Sequence, residues 1–308
     1  MRLCTFSTNC TARLGAVIGD SVIDLAVAAK SIGQDLAGVG GLRRLVEAGP
    51  EAWAAAGSVV SAVGGKLDPA WSWSLGEVTL HHPFRPRKNI IRAGGNTAPK
   101  PGEPERVTVT LPPGRWLGDF PIAYYTKAPS AVLDPGRPIT WPSKLTTQVY
   151  AEPQLAIIIG APIHYADPAE ALEKVFGYAV ATDVSALDLR IKHGQWPKAG
   201  SLDSFFPWGP MIVTRDEVPN PAALDVRLEL NGDTSIHGST ADALRSVGEM
   251  LAEICTGILL EPGDVLLLGT PENMGFGQTP ERWLKDGDTI TSKIEGIGSI
   301  TNPVHPTA

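Results

Sequence analysis

Glu152 and Gln154 stand one residue apart, directly before the apolar segment LAIIIG at 155–160. Side chains on a strand alternate between its two faces, so both polar groups point to the same face. Asp183 directly follows a second apolar segment, YAVAT at 178–182. Acidic groups at strand ends that face one pocket are typical ligands of a hard cation such as Mg²⁺. These residues predict a metal or substrate site; the alternative is that the carboxylates cap loops or pair with a nearby lysine.

A second candidate pair, Lys100 and Glu103, lies in a segment with five prolines between residues 96 and 116. Proline removes a backbone donor and clashes inside a helix, so this segment is predicted to be a long loop or lid. A lid often brings an acid and a base over a site. The alternative is an exposed surface pair.

Thr270 directly follows the apolar segment at 265–268, in a glycine-rich turn. A hydroxyl and backbone N–H groups in such a turn can bind a carboxylate or enolate oxygen. The alternative is a turn without a ligand. The six histidines form no HxH or HExxH spacing, and no GxSxG, dinucleotide-binding or P-loop motif is present. These absences disfavour the zinc, serine-hydrolase and nucleotide-binding classes that these motifs define.

The elements that must position these residues divide the chain in two. Residues 1–80 combine strand-like alternation with an Ala-rich helical segment broken at Gly49-Pro50, and predict a small N-terminal β-rich module. Residues 84–308 contain mostly short apolar segments separated by turns, including an Asn231-Gly232 hairpin signal. One amphipathic helix is predicted within 241–260. The pattern indicates an α+β fold that is predominantly β.

Composition narrows the class of protein further. The chain has 308 residues, 43% of them hydrophobic, and a net charge of -7 with no run of Lys or Arg. This balance disfavours nucleic-acid and membrane partners; a small-molecule substrate is the predicted partner. The three cysteines form no cluster, and the apolar runs are too short to span a bilayer. A reducing cytoplasm is therefore the predicted location.

Six motifs follow one another along residues 84–304: YYTKAPSAVLDPGRPITWP, AEPQLAIIIG, ATDVSALDLRIKHGQW, SFFPWGPMIVTRDEVPNP, LEPGDVLLLGTPENMGFG and IEGIGSITNPV. Together and in this order they resemble the fumarylacetoacetate hydrolase (FAH) family. The resemblance implies a mixed β-roll domain behind a small N-terminal module, and a homodimer. It also implies C–C hydrolysis, decarboxylation, tautomerisation or hydration of diketo or 2-oxo acids. A divalent ion, Mg²⁺ or Mn²⁺, would chelate the oxo acid and stabilise enolate charge.

The resemblance assigns the metal site residue by residue. Glu152 and Asp183 match two of the family's three metal carboxylates, and Gln154 replaces the third. An amide oxygen can still bind Mg²⁺, but the site loses one negative charge. Weak or absent metal binding is therefore expected. Pro153, between the two ligand positions, predicts an edge or bulged strand because proline cannot donate to a ladder.

The remaining site residues follow from the same resemblance. Lys127 matches a lysine beside the family's site, and Tyr125, Gln195 and Thr270 are assigned to substrate binding. The family's lid carries an H-x-x-E pair that activates water. Alignment through Asn96 places Lys100 at the histidine and Glu103 at the glutamate.

Other matched positions also differ from the family. Gly200 stands where the family has a lysine, Gly95 stands at an arginine before the lid asparagine, and Leu187 stands at another arginine. The lost lysine at 200, together with the new Lys100, suggests that a positive charge has been relocated.

Three hypotheses remain open. The chain is an FAH-family enzyme on a diketo or 2-oxo acid, with weakened or altered metal dependence. Alternatively, it is a metal-independent lyase, isomerase or cyclase that uses Lys100, Glu103, Lys127 and Glu152. The third hypothesis is a catalytically inactive binding homologue.

Overall fold

The computed structural model describes residues 1–36, 38–97, 123–271 and 282–308. Lys100 and Glu103 lie outside these residues. The strands within them are β1 Arg2–Ser7, β2 Arg13–Ile18, β3 Ser21–Asp24, β4 Ser72–Ser74, β5 Thr79–His81, β6 Ile90–Gly94, β7 Ala123–Lys127, β8 Val132–Leu133, β9 Val149–Ile159, β10 Val175–Ala186, β11 Phe206–Pro207, β12 Met211–Thr214, β13 Asp225–Leu230, β14 Asp233–Ser239, β15 Val265–Leu267, β16 Thr289–Ile294 and β17 Gly298–Pro303. The helices are α1 Leu25–Ser31, α2 Leu42–Ala48, α3 Pro50–Val63, α4 Pro168–Glu173, α5 Leu187–His193, α6 Trp196–Gly200 and α7 Val247–Cys255.

One large sheet runs through the chain in the order β4-β3-β2-β1-β12-β10-β9-β15-β6-β7, and β5 pairs with β1. The strands predicted for the N-terminal module therefore join the sheet of the larger part, through the β1–β12 pairing. A second sheet has the order β14-β13-β16-β17. The boundary near residue 80 stays a prediction.

The long strands β9 and β10 form the centre of the fold. Every residue of both strands is buried, as expected of apolar strands covered on two faces. The second sheet packs on them, and the Thr182 hydroxyl is 2.7 Å from that of Ser292 on β16. The predicted α+β, predominantly β fold is confirmed.

Local signals in the sequence explain several boundaries. Gly49, at φ 85°, ends α2 and precedes Pro50, the first residue of α3. The Asn231-Gly232 turn connects β13 to β14 with both residues at positive φ, as a two-residue hairpin requires.

The predicted C-terminal helix is shorter than its apolar pattern. Ser246 caps α7 in a capping box with Glu249, so the helix begins at Val247. Leu244 and Ile258, predicted on its apolar face, lie outside the helix and are about half exposed. The cap therefore overrides the longer hydrophobic periodicity.

The described residues contain no helix long and apolar enough to cross a bilayer. Cys4, Cys10 and Cys255 are all free thiols. The cytoplasmic location stays a prediction.

Candidate active site

Four charged side chains meet on the large sheet, and we call them the charge network: Arg92, Lys127, Glu152 and Asp183. Arg92 lies on β6, and Lys127 is the last residue of the neighbouring β7. Glu152 on β9 is directly opposite Asp183 on β10, so the antiparallel register places the two carboxylates side by side. The sheet thus joins residues that are far apart in the sequence.

The charge network is held by ion pairs. Arg92 Nη2 is 3.0 Å from Glu152 Oε2 and also contacts Asp183 Oδ2. Lys127 Nζ is 2.9 Å from Asp183 Oδ1. None of the four side chains is more than 6% exposed. Buried charges are tolerated only when they are paired, and here two positive charges balance two negative ones.

Lys127 is surrounded by acceptors. Its Nζ donates to the carbonyl of Val184 at 2.8 Å and to that of Gly200. These carbonyls take two of the three N–H donors of an ammonium, and the contact with Asp183 is an ion pair in which the carboxylate oxygens accept no hydrogen bond from the described residues. Burial and the charge of Arg92 lower the pKa of Lys127 well below that of a free lysine, while Glu152 opposes the shift. The ion pair with Asp183 opposes this shift and favours the charged ammonium.

Gln154 is part of this site but binds the backbone. Its Oε1 accepts from the N–H of Gly269 at 2.8 Å, and its Nε2 is 3.5 Å from Glu152 Oε2. A donor on one side and a carboxylate on the other fix this amide orientation. The amide oxygen that would bind a metal therefore already accepts a hydrogen bond from the backbone.

The interior position of Pro153 also has a local cause. Leu155 accepts a ladder bond from Leu268, directly after β15. On a strand, the backbone groups of residues i and i+2 point to the same side, so the backbone of Pro153 points toward β15, as that of Leu155 does. At the level of Pro153, β15 has already ended. Instead of the predicted edge or bulged strand, β9 is a central strand that has no partner on one side at Pro153. The missing N–H of Pro153 therefore costs no hydrogen bond between strands.

Aromatic rings form one wall of the site. The guanidinium carbon of Arg92 is 4.6 Å from the Tyr125 ring centroid, and the Trp196 ring is 4.2 Å from that ring. The guanidinium carbon of Arg190 lies over the Trp196 ring, 3.0 Å from its centroid. Burial raises the pKa of Tyr125 despite the opposing charge of Arg92. The phenol therefore stays protonated and is able to donate a hydrogen bond.

The predicted substrate residues are not all placed together. Tyr125 stacks on the charge network, as described. Thr270 is largely buried, and its carbonyl accepts from the Thr97 hydroxyl at 2.5 Å. Gln195 is exposed, directly before α6. Within the described part of the chain, no hydrogen bond connects the Gln195 side chain to the charge network. Its role in substrate binding stays a prediction.

The sequence analysis assigns no site role to Arg92 and uses Asn96 only as the alignment point of the lid. A single arginine in the segment NIIRAGG fits an exposed position as well as a buried one, so its type and spacing give no signal of the charge network. Asn96 is buried, and its Nδ2 donates to the carbonyls of Arg245 and Leu268 while its Oδ1 accepts from the N–H of Arg245. It anchors the start of the predicted lid to the turn that carries Thr270.

The donor set does not fit a divalent metal ion. Both candidate carboxylates are paired with buried cations, and the oxygen of Gln154 accepts from Gly269. In the described ranges, no group of three or more His, Cys, Asp or Glu side chains is arranged to hold a metal. A dication beside Arg92 and Lys127 would be repelled without a further carboxylate to offset it. No catalytic step is therefore derived through a metal.

Comparison with known proteins agrees with the fold. Residues 89–305 match the family described as Fumarylacetoacetate (FAA) hydrolase C-terminal. The match spans more than half of the chain, so this chain belongs to the fumarylacetoacetate hydrolase family, as its motifs predicted. The oxaloacetate tautomerase YisK of Bacillus subtilis (strain 168) is 32% identical over 236 residues, which are 76% of each chain.

Solved structures lead to the same class of protein. Fumarylacetoacetate hydrolase (EaFAH) from psychrophilic Exiguobacterium antarcticum matches the whole of both chains with a TM-score of 0.81 and 33% identity. Maleylpyruvate hydrolase from Sphingobium sp. SYK-6, in complex with manganese(II) ion and pyruvate, also matches both whole chains, with a TM-score of 0.74 and 27% identity. The chain is an enzyme of a family that includes hydrolases, tautomerases and isomerases.

Proposed function

We propose that this enzyme acts on a diketo or 2-oxo acid through an enolate, by tautomerisation or C–C bond hydrolysis, with weakened or altered metal dependence. The observation that carries the proposal is the charge network, in which Arg92 and Lys127 supply two buried positive charges beside an aromatic wall. Fixed cations in a dry site stabilise an oxyanion strongly because they need no reorganisation during the reaction. The names of the relatives support this substrate class.

The proposed steps use groups of this chain alone. A base removes the proton next to the carbonyl, the electron pair forms the C=C bond, and the negative charge develops on the oxygen near Arg92. In tautomerisation, a proton returns to the oxygen or to the carbon. In hydrolysis, the base instead takes a proton from water, and the resulting hydroxide adds to the distal carbonyl. The C–C bond then breaks, its electron pair forms the enolate, and the acid returns a proton to the enolate carbon, so that a carboxylic acid and a 2-oxo acid are released. The Tyr125 hydroxyl is suited to donate to the substrate oxygen. The lid residues Lys100 and Glu103 are the proposed acid and base.

A metal-independent lyase, isomerase or cyclase is the second candidate function. The specific observation in its favour is that Arg92 bridges both carboxylates that the family resemblance assigned to a metal. An inactive binding homologue would retain the fold and the ion pairs but convert no substrate.

Turnover of oxaloacetate and a panel of acylpyruvates, with EDTA or with added Mn²⁺, tests the proposal. Lys127→Met removes the charge and keeps most of the side-chain volume, and we expect the rate to fall about 100-fold or more. Exposed Lys66→Met is the matched control and should leave the rate unchanged. No turnover of any panel member by the wild type, with or without metal, would overturn the proposed substrate class.

The resemblance also suggests a homodimer, which we propose as the solution state. Light scattering coupled to size-exclusion chromatography measures it directly, and a monomer at micromolar concentration would contradict it.

A further inference from the structure

The guanidinium of Arg92 lies where the family resemblance expects a metal ion. Its Nη2 pairs with Glu152 and with Asp183, which are the two residues matched to metal carboxylates. A bridging contact between the two carboxylates is the contact that a bound cation would make. The guanidinium is further held by the ring of Tyr125, at 4.6 Å.

We infer that Arg92 replaces the divalent cation of this site, so that the enzyme carries an internal cation and binds neither Mg²⁺ nor Mn²⁺ there. The inference deepens the proposed function and rests on it for the catalytic consequence. The claim about metal binding rests on the ion pairs alone.

Charge balance supports the replacement. In the charge network, two carboxylates face two cations, and Gln154 adds no charge. A bound dication would leave two buried positive charges without a partner. With a neutral residue at 92 and a glutamate at 154, three carboxylates and Lys127 would leave two negative charges, which one dication would balance. An arginine at 92 together with a neutral residue at 154 therefore keeps the net charge of the site at zero without a metal ion.

Gly200, the last residue of α6, also supports the replacement of the metal ion by Arg92. A Cβ at Gly200 would lie 3.5 Å from Arg92 Nη1 and 3.3 Å from Lys127 Nζ. The family resemblance places a lysine at this position, which would bring a third cation against the other two. The relocated positive charge predicted from the sequence is therefore better assigned to Arg92 than to Lys100.

The same geometry leaves donors for a substrate. Arg92 Nε–H is buried and has no hydrogen-bond partner among the described residues. Arg92 Nη1 lies 3.5 Å from the position that a Cβ at Gly200 would occupy, so a larger residue there would crowd it. A substrate carboxylate or enolate oxygen that reaches these donors would contact the positive charge directly, as it would contact a metal ion in a metal-dependent relative.

Binding of Mn²⁺ alone, measured by calorimetry and by electron paramagnetic resonance without substrate, tests the inference. We expect no binding by the wild type at submillimolar Mn²⁺. The double variant Arg92→Ala/Gln154→Glu should bind Mn²⁺ at least about 100-fold more tightly than the wild type, because the ligand set gains a carboxylate and loses a cation. Adding Asp183→Asn to the double variant should abolish this site, which places the bound ion at β10.

Micromolar Mn²⁺ binding by the wild type that is lost in Asp183→Asn would overturn the inference. So would stoichiometric metal in the purified protein that disappears in the same variant. Both measurements use the wild type as reference, so they remain decisive if the double variant does not fold. Neither needs turnover, so inactivity on every substrate tested would count against the proposed function and leave the metal result standing.

Discussion

Replacement of Arg92 by methionine should destabilise the fold measurably. Methionine keeps most of the length of the side chain but leaves two buried carboxylates with Lys127 as their remaining described cationic partner. Removing one partner of a buried ion pair costs about 3–5 kcal/mol. With an unfolding entropy of about 2.1 cal/mol/K per residue over 308 residues, the expected fall in Tm is about 5–8 °C.

The pH dependence of this loss identifies its cause. Without Arg92, the carboxylates of Glu152 and Asp183 are poorly compensated, so the pKa of at least one of them should rise above its unfolded value. A raised folded pKa makes ionisation destabilising at high pH, and protonation relieves the penalty as the pH falls. The difference in Tm between wild type and variant should therefore be smaller at pH 5 than at pH 8.

Thermal unfolding followed by circular dichroism at both pH values, with and without Mn²⁺, measures these effects. At 100 times its Kd, Mn²⁺ would restore about 2.7 kcal/mol to the variant, and the wild type should not respond. Arg227→Met is the matched control because Arg227 pairs with Asp225 on the surface, and we expect no measurable change in Tm. An equal Tm for wild type and Arg92→Met, or a Mn²⁺ response of the wild type, would refute the reasoning.

Three further predictions concern other parts of the enzyme. Lys100→Ala should lower the rate at least about tenfold; an unchanged kcat/KM would remove Lys100 from the mechanism. Tyr125→Phe should lower kcat while keeping the fold, and Tyr124→Phe, whose hydroxyl faces Glu253, is its control; equal rates would exclude the phenol. Despite partial burial, hydrogen bonds from His82 and His81 lower the pKa of Asp134, so Asp134 stabilises the fold above about pH 4 and its contribution fades below. The Tm deficit of Asp134→Asn should accordingly be smaller at pH 3 than at pH 7 but still measurable, because the folded-state pKa of Asp134 lies below that range.

The sequence, with its family resemblance, was sufficient for the fold and for three of the four residues of the charge network. Strand alternation places Glu152 and Gln154 on one face, and the apolar segments before Asp183 predict a second buried strand. The register that sets Glu152 opposite Asp183 was not predictable from either segment alone, since pairing depends on the whole sheet. Local patterns thus gave the elements, and tertiary contacts decided which side chains meet.

Arg92 shows why the rest of the site could not be predicted. Its partners lie 60 and 91 residues further along the chain, on β9 and β10. The short strand β15 lies between β6 and β9 in the sheet, so Arg92 reaches past it to Glu152. A lone arginine in a short strand equally fits an exposed face, and only the sheet order shows that it is buried.

Positions 92, 154 and 200 lie on β6, β9 and α6, and all three are close to the charge network. A change of charge at one of these positions should therefore change the electrostatic energy of a charge at the others. Gly200→Lys alone would place a third cation beside Arg92 and Lys127, and we expect a lower Tm. In an Arg92→Ala background, the same lysine would replace a missing positive charge, and the loss should be smaller or reversed. Residues in one network deviate from additivity by about 0.5–3 kcal/mol. A double-mutant cycle in which the two changes add independently would show that Arg92 and the residue at 200 do not share a charge balance.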